Sequence, residues 1–326
     1  MSGLRSIDGT AVHGALGYSR LIPHLREAFR IGGEAPLRSR FHIDAPVDGI
    51  GAGGPGGILL VMPAWQPGRH IGIKAVSVYA GNPKIGLPSV NAAYLLFDAR
   101  TGALRAAIDG EALTLRRTAC ASALAAGYLV RRDAQHLLMI GAGSLAPHLI
   151  RAHCAVQNYK RVEIWNRNPD RAYELAAKLT DLNAAIAVTE DLEAATRVAD
   201  TISCATLSRE PLVRGEWLKS GTHLDLVGGF TPEMREADDA ALQRAAEDKG
   251  LWVDTRNGAM KEAGDIVDPL KRGIIAESAV RGDLFDLCRR DAFMRPDAKG
   301  ITLFKSVGTA LEDLAAAELV AETVLS

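Results

Sequence analysis

One stretch, residues 136–171, constrains the fold of this chain more than any other. An apolar run, His136 to Ile140, leads directly into the glycine motif Gly141-Ala-Gly-Ser-Leu-Ala146. A helix-like segment over 147–157 follows, and then a second strand-like run over 161–165. The order strand, glycine turn, helix, strand is that of a βαβ unit that binds a dinucleotide.

Each small residue of the motif has a physical role in such a unit. Gly141 permits the tight turn, and Gly143 lets backbone N–H groups approach a pyrophosphate. Ala146 lets the helix pack close to the strand. The phosphates are expected at the positive end of the helix, so a dinucleotide cofactor is predicted.

The end of the second strand indicates which dinucleotide is bound. An Asp or Glu there accepts hydrogen bonds from the ribose of NAD, whereas a 2′-phosphate requires a cation. Asn166 holds that position, Arg167 follows, and the first carboxylate is Asp170 beyond Pro169. NADP(H) is therefore the predicted preference, with Arg167 facing the 2′-phosphate, and NAD(H) stays open as the alternative.

The composition is typical of a two-domain enzyme. The chain has 326 residues, 48% of them hydrophobic, and a net charge of −1, which favours neither nucleic acid nor an anionic membrane as a partner. No apolar run reaches the length of a membrane span, and Met1 to Asp8 lacks the apolar core of a signal peptide. A cytoplasmic protein is expected.

Motifs for metal or hydrolase chemistry are missing from the sequence. The four cysteines are scattered without a CxxC pair, and neither HExxH nor GxSxG occurs. No metal site is expected, and the thiols are interpreted as buried.

Strand and helix patterns alternate after Arg161, which predicts a parallel, doubly wound sheet. Ligands bind such sheets at the carboxyl ends of the strands, so Ala205-Thr206 and 228–231 are expected beside the cofactor. The predicted strands are 185–188, 200–204, 222–227 and 251–254, and the predicted helices are 191–198 and 238–247.

The region before residue 118 has a different pattern. An amphipathic helix over Tyr18 to Ile31 precedes several β-like runs, which predicts a mixed or antiparallel domain. The glycine cluster 51–57 is interpreted as a hairpin tip because a strand, not a helix, follows it. A final helix over 307–325 is predicted to pack on this domain. The β-like runs cover 38–43, 57–64, 72–79 and 91–97.

Together with the glycine motif, several sequence blocks resemble those of the ornithine cyclodeaminase/μ-crystallin family. The blocks are Val61-Met-Pro-Ala64, Gly72-Ile-Lys-Ala-Val76, Leu115-Arg-Arg-Thr-Ala119, Gly221-Thr-His-Leu-Asp-Leu-Val-Gly228, Phe304-Lys-Ser-Val-Gly-Thr309 and Glu312-Asp313. The resemblance implies an α/β fold in which a Rossmann-type doubly wound parallel sheet (119–305) is inserted in a mixed α+β substrate-binding and dimerisation domain (1–118 plus 306–326). It also implies a homodimer and an active site in the cleft between the domains.

The resemblance also assigns a clamp for a substrate carboxylate. The matching positions are Arg38, Lys74 and Arg117, and Arg40 lies on the same strand face as Arg38. Lys74 sits inside an apolar run, where an unpaired ammonium is costly, so an anionic partner is expected for it. The residues expected at the cofactor are Thr118, Gly141, Gly143, Ser144, Leu145, Asn166, Arg167, Ala205, Thr206, Val227, Gly228 and Ser306.

Two departures from the cyclodeaminase pattern bear on the reaction. Phe230 and Leu60 hold positions where cyclodeaminases carry carboxylates, so no base for deamination and cyclisation is expected. We therefore expect a site short of acidic groups. Gly229 to Glu236 instead resembles the Δ1-pyrroline-2-carboxylate reductases of the family, which reduce a cyclic imine to L-proline with NAD(P)H. Lys74 or Thr231 is expected to deliver or steady the ring proton.

Four alternatives stay open at this point. An alanine-type dehydrogenase would use the same clamp on an open-chain keto acid, and a reductase of the six-membered ketimine Δ1-piperideine-2-carboxylate differs by one methylene. The third is a non-catalytic NADPH-binding protein, because μ-crystallin also binds thyroid hormone. The fourth is ornithine cyclodeamination, against which the two missing carboxylates argue.

Overall fold

A computed structural model describes residues 5–44, 56–290 and 292–325. The described residues form two compact units, one made of those within 1–117 and 309–326 and the other of those within 118–308. The first unit thus consists of two chain segments that flank the second in sequence. The predicted glycine hairpin tip falls mostly on 51–55, outside the described residues.

The first unit is built on a six-stranded sheet of order β1-β6-β5-β4-β3-β2, in which only the β1–β6 pairing is parallel among the described strands. Its elements are β1 (Ser6–Ile7), α1 (Gly9–Ala15), α2 (Tyr18–Ile31), β2 (Ser39–Ile43), β3 (Gly57–Trp65), β4 (His70–Val78), β5 (Val90–Asp98), β6 (Leu104–Asp109), the start of α3 (Gly110–Leu129) and the final helix α11 (Ala310–Val324).

Helix α11 covers one face of the sheet of this unit, and α2 packs against α11. Leu21, Leu25 and Phe29 recur every four residues and bury one side of α2, whose predicted bounds are confirmed. Helix α11 is buried from Ala310 to Ala321 and packs against α2 and β4. The predicted packing of the final helix on the N-terminal region is confirmed.

Strand register places Lys74 in the middle of the covered face. It lies opposite Met62 on β3 and Tyr94 on β5, and both neighbours are buried. Side chains alternate along a strand, so Ile73 and Ala75, on either side of Lys74 in sequence, lie on the other face.

The second unit is an eight-stranded sheet of order β13-β12-β14-β11-β10-β7-β8-β9, and every pairing in it is parallel. Its further elements are β7 (His136–Ile140), α4 (Ala146–Val156), β8 (Arg161–Trp165), α5 (Pro169–Ala176), β9 (Ala185–Val188), α6 (Leu192–Val198), β10 (Thr201–Cys204), β11 (His223–Leu226), α7 (Asp239–Glu247), β12 (Leu251–Val253), α8 (Arg256–Glu262), α9 (Gly264–Lys271), β13 (Val280–Gly282), α10 (Leu284–Arg290) and β14 (Thr302–Lys305).

The chain order of the strands reverses beside β7. Strands β8 and β9 lie on one side of it and β10 and β11 on the other, so the crevice between the carboxyl ends of β7 and β10 is a topological switch point. The α/β class and the parallel sheet predicted from the sequence are confirmed.

Strand β6 was missed from the sequence. Its residues, Leu104 to Asp109, include two alanines and an arginine, which favour helix over strand. Pairing with β5 and β1 sets its conformation instead, so tertiary context overrides local preference. None of the helices in the described part of the chain has the length and apolar character needed to cross a bilayer.

Candidate active site

The turn after β7 has the geometry that a bound dinucleotide requires. Gly141 has φ +106°, and a Cβ there would lie 2.6 Å from the Ala205 carbonyl oxygen, so only glycine fits. A Cβ on Gly143 would meet no heavy atom within 4 Å. The first glycine therefore serves the fold, and the second leaves open space where a phosphate could approach the backbone.

Helix α4 begins directly after this turn, at Ala146. No described residue accepts a hydrogen bond from the N–H groups of Gly143, Ser144 or Leu145. Unpaired N–H groups at the start of a helix favour an anion. The turn thus offers the donors that a pyrophosphate needs.

A cavity of about 550 Å³ lies at the carboxyl ends of β7, β8 and β10, at the switch point of the sheet. Of the residues predicted at the cofactor, Gly141, Gly143, Asn166, Arg167, Ala205 and Thr206 line it. The other lining residues are Ala142, Trp165, Asn168, Arg171, Leu207, Ser208 and Leu212.

The remaining predicted cofactor residues do not line this cavity. Ser144 and Leu145 belong to the turn before α4, and Thr118 is half-buried on α3. Val227 and Gly228 follow β11, and Ser306 follows β14. Their contacts with a cofactor stay predictions.

Asn166 links the glycine turn to the segment after β8. Its Oδ1 accepts a hydrogen bond from the Ala142 N–H at 3.1 Å, and its Nδ2 donates to the Asn168 carbonyl at 2.8 Å. Arg167 and Arg171 are exposed cations of the lining, and neither has an ion-pair partner in the described part of the chain.

No Asp or Glu is among the lining residues, so this end of the cavity is cationic. Arg171 was not predicted from the sequence. The available signal was its place four residues after Arg167, in the first turn of the helix that Pro169 opens.

In the first unit, two of the predicted clamp residues meet two carboxylates. Lys74 Nζ donates to Asp313 Oδ1 at 2.9 Å and to Thr114 Oγ1 at 3.3 Å. Arg117 donates from Nε to the same Asp313 oxygen at 2.9 Å and from Nη1 to Glu312 Oε2 at 2.6 Å. The exposed fractions of the four side chains that carry charge are only 0–6%, so these charges interact out of water.

This environment shifts both basic groups. Burial, followed by the charge of Arg117, lowers the pKa of Lys74 to about 8, although Asp313 opposes the shift. Burial alone would lower the pKa of Arg117, but Asp313 and Glu312 outweigh it and raise that pKa above its ordinary value. Lys74 is therefore a group that can exchange a proton near neutral pH, and Arg117 is a permanent cation.

The two arginines before β3 differ in their relation to Lys74. The charge of Arg38 contributes to the lowered pKa of Lys74, which places Arg38 near the cluster. Arg40 lies on exposed β2 opposite Leu60. Arg38 is thus the one that the described structure brings to Lys74.

The expectation of a site short of acidic groups is wrong. Glu312 and Asp313 lie against Arg117 and Lys74, because α11 brings the end of the chain onto the sheet. The anionic partner expected for Lys74 is confirmed, and it is Asp313.

Leu60, Phe230 and Thr231 occupy less enclosed positions. Leu60 lies on β3 opposite Val76, and Phe230 is 43% exposed in the loop after β11. Thr231 is half-buried, and its carbonyl accepts hydrogen bonds from Met234 and Gly264. The catalytic role expected for Thr231 stays a prediction.

Comparison with known proteins identifies the family of the chain. The model of the ornithine cyclodeaminase/mu-crystallin family matches residues 11–326. The chain belongs to this family. A Δ1-pyrroline-2-carboxylate reductase of Paracoccus denitrificans, a relative within it, is 39% identical over 91% of this chain and 91% of its own length.

Two solved structures share the fold over nearly the whole length of this chain. The Δ1-pyrroline-2-carboxylate reductase of Thermococcus litoralis, in complex with NADH and L-proline, has a TM-score of 0.89 at 32% identity and covers 99% of this chain and 98% of its own. An archaeal alanine dehydrogenase dimer with bound NAD has a TM-score of 0.88 at 27% identity and covers 99% and 96%.

Proposed function

We propose that this protein is an NAD(P)H-dependent imine reductase that converts Δ1-pyrroline-2-carboxylate to L-proline. The observation that carries the proposal is the buried cluster of Lys74, Arg117, Glu312 and Asp313, in which an ammonium and a guanidinium share one carboxylate oxygen. A fixed pair of cations suits the carboxylate of a small substrate. The relatives named Δ1-pyrroline-2-carboxylate reductase support this choice of substrate.

Arg117 is suited to orient the carboxylate. Glu312 and Asp313 hold two of its nitrogens, Nη1 and Nε, and Nη2 has no bond to a described residue. A guanidinium held in its plane loses little conformational entropy when a carboxylate binds. We infer that Nη2 of Arg117 and the ammonium of Lys74 donate hydrogen bonds to the two carboxylate oxygens of the substrate.

The bound dinucleotide supplies a hydride to C2 of the ring. Reduction of the C=N bond also requires a proton on the ring nitrogen. Lys74 has a pKa of about 8, so near neutral pH its side chain can be an ammonium that gives up a proton. We infer that it holds or delivers the proton that the ring nitrogen takes up. Thr231 is the second candidate for this role.

NADP(H) is the preferred dinucleotide in this proposal. Arg167 and Arg171 line the ribose end of the cavity, where no carboxylate lines it to repel a 2′-phosphate. The Thermococcus litoralis relative is described with NADH, so use of both dinucleotides by this chain is compatible with its family.

A homodimer belongs to the same proposal, with the face of the six-stranded sheet opposite α11 as the contact. Side chains alternate along a strand, so those on this face are the neighbours in sequence of the residues buried against α11. They are mainly apolar, among them Leu59, Val61, Pro63, Ile71, Ile73, Leu95 and Phe97. A second copy is the proposed occupant, since an alanine dehydrogenase of this fold is a dimer.

The dimer is tested by light scattering of two variants. Ile73→Asp should yield monomers, whereas Val198→Asp on the second unit should not. A mass of one chain for the unchanged protein would contradict the proposal.

The substrate is tested in four parallel reactions. Three are followed by NADPH oxidation and contain Δ1-pyrroline-2-carboxylate, Δ1-piperideine-2-carboxylate, or pyruvate with ammonia. The fourth contains L-ornithine with NAD and is followed by the release of ammonia. We expect the highest kcat/KM with the pyrroline. Faster turnover of the six-membered ring or of pyruvate would identify a ketimine reductase or an alanine dehydrogenase instead.

A further inference from the structure

Three ionisable side chains are fully buried beneath the cofactor cavity in the second unit, and the proposed chemistry does not use them. Lys305 ends β14, Glu236 precedes α7, and Asp265 lies in α9, and the side chains of all three have 0% exposure. Burying three charges is costly, and replacing them by apolar groups often does not destabilise a fold. Their hydrogen bonds indicate what the charges accomplish.

Glu236 accepts hydrogen bonds from two different loops. Its Oε1 receives the Thr206 N–H at 2.7 Å and the Thr206 hydroxyl at 2.9 Å. Its Oε2 receives the Gly228 N–H at 2.7 Å and the Gly229 N–H at 3.3 Å. One carboxylate therefore joins the loop after β10 to the loop after β11.

The approach of the two loops depends on glycine. A Cβ on Gly228 would lie 2.6 Å from Glu236 Oε1 and still closer to the Thr206 carbonyl oxygen. Any larger residue would push the two strand ends apart. The close contact between the two loops therefore depends on the glycine backbone at position 228 as well as on the Glu236 side chain.

One of these loops is a wall of the cavity. Ala205, Thr206, Leu207 and Ser208 line it opposite the glycine turn, and the Ala205 carbonyl is the atom that Gly141 approaches. The position of Thr206 therefore sets the width of the space between the two walls.

We infer that Glu236 is a positioning residue for the dinucleotide: its carboxylate holds the Ala205–Ser208 wall at the spacing that the cofactor requires. This inference rests on the proposed function in that a nicotinamide dinucleotide occupies the cavity. Glu236 does not line the cavity, so it acts through Thr206 and Gly228.

Asp265 and Lys305 hold Glu236 in turn. Asp265 Oδ1 accepts the backbone N–H groups of Glu236 at 2.8 Å and Ala237 at 3.1 Å. Lys305 Nζ lies 3.0 Å from Asp265 Oδ2 and 3.7 Å from Glu236 Oε2. Both the backbone and the charge of Glu236 are fixed, so the carboxylate has little freedom to follow a displaced loop.

Glu236→Gln is the sharpest test, because it keeps the shape and replaces one acceptor oxygen by an NH2 donor. That donor must face the N–H groups of either Thr206 or Gly228, so one loop loses its link. We expect the dissociation constant of NADPH, measured by fluorescence titration without imino acid, to rise about tenfold or more. The KM for the imino acid at saturating NADPH should stay within about twofold of its original value.

Glu163→Gln is the matched control. Glu163 is another buried carboxylate of this sheet, bonded to Arg161 at 2.9 Å and lying 3.0 Å from His136, and it does not line the cavity. This variant should lower Tm without changing NADPH affinity. If Glu236→Gln lowers Tm but leaves the NADPH dissociation constant unchanged, as expected for Glu163→Gln, the inference is overturned.

Thr206→Val provides a second, milder variant should Glu236→Gln not fold. It removes the hydroxyl donor to Glu236 and keeps the backbone N–H donor. NADPH affinity should fall about threefold, and an unchanged affinity would overturn the inference. Failure of the proposed function looks different: the unchanged protein would bind NADPH but would not turn over the pyrroline.

Discussion

Lys74 and Asp313 form a buried ion pair, with Nζ 2.9 Å from Oδ1, although 239 residues separate them in sequence. The same Asp313 oxygen accepts a hydrogen bond from Arg117 Nε. One carboxylate thus sets the positions of both cations of the proposed clamp. It also keeps Lys74 protonatable, because without Asp313 the burial of the ammonium would lower its pKa further.

The first prediction concerns pH. Because burial lowers the pKa of Lys74 to about 8, its ammonium form is lost as the pH rises through that value. We expect kcat/KM for the pyrroline to be highest below about pH 8 and to fall above it. Lys74→Arg keeps the charge but does not titrate, so its profile should lack this limb. The same limb in both proteins would assign it to the substrate and remove Lys74 from the proton step.

The second prediction separates the binding role of Arg117 from its structural one. Arg117→Ala removes the guanidinium that bonds both Glu312 and Asp313, which should cost about 3–5 kcal/mol of folding stability. Arg117→Lys keeps one charge but loses the planar fork. We expect the lysine variant to fold, to bind NADPH normally and to lose kcat/KM by about 100-fold. An Arg117→Lys enzyme with nearly full kcat/KM would contradict the clamp.

The third prediction concerns the choice of dinucleotide. Arg167→Ala should weaken NADPH binding by about 10- to 100-fold, because a charge-assisted bond to the 2′-phosphate is worth about 1.5–3 kcal/mol. NADH binding should change little. Arg171→Ala should also weaken NADPH binding relative to NADH binding, by a smaller factor than Arg167→Ala. Equal losses for NADPH and NADH would show that the arginines serve the pyrophosphate and not the 2′-phosphate.

The fourth prediction uses the two glycines of the turn as a matched pair. Gly141→Ala forces a methyl group against the Ala205 carbonyl at a positive φ, so Tm should fall markedly. Gly143→Ala adds a methyl group that meets no protein atom within 4 Å. It should leave Tm unchanged and weaken NADPH binding by at least about tenfold. Tight NADPH binding by folded Gly143→Ala would place the pyrophosphate elsewhere.

The sequence predicted those structural features that depend on interactions between residues close together in the chain. The apolar spacing of α2 and the glycine turn after β7 depend on residues close in sequence, so periodicity and backbone sterics were sufficient. Asn166 and Arg167 were recognised because they follow a strand at a fixed offset. These features alone indicate a dinucleotide cofactor.

Contacts between distant segments were not predictable in this way. Glu312 and Asp313 look like ordinary acidic residues in the first turn of a helix, and only the packing of α11 on the sheet brings them to Lys74 and Arg117. Glu236 likewise follows Arg235 in a polar segment, with no local sign that it is buried. The sequence thus indicated the cations of the site, and the structure was needed to find the carboxylates that hold them.

The most direct test of the proposed reaction is the fate of the hydride. The protein would be incubated with Δ1-pyrroline-2-carboxylate and NADPH deuterated at C4 of the nicotinamide, and the product examined by mass spectrometry and chiral chromatography. Using NADPH labelled in turn on each face, we expect L-proline with deuterium at C2 from one of the two. Proline without deuterium from either, or no proline while NADPH is bound, would contradict hydride transfer to a substrate held by Lys74 and Arg117.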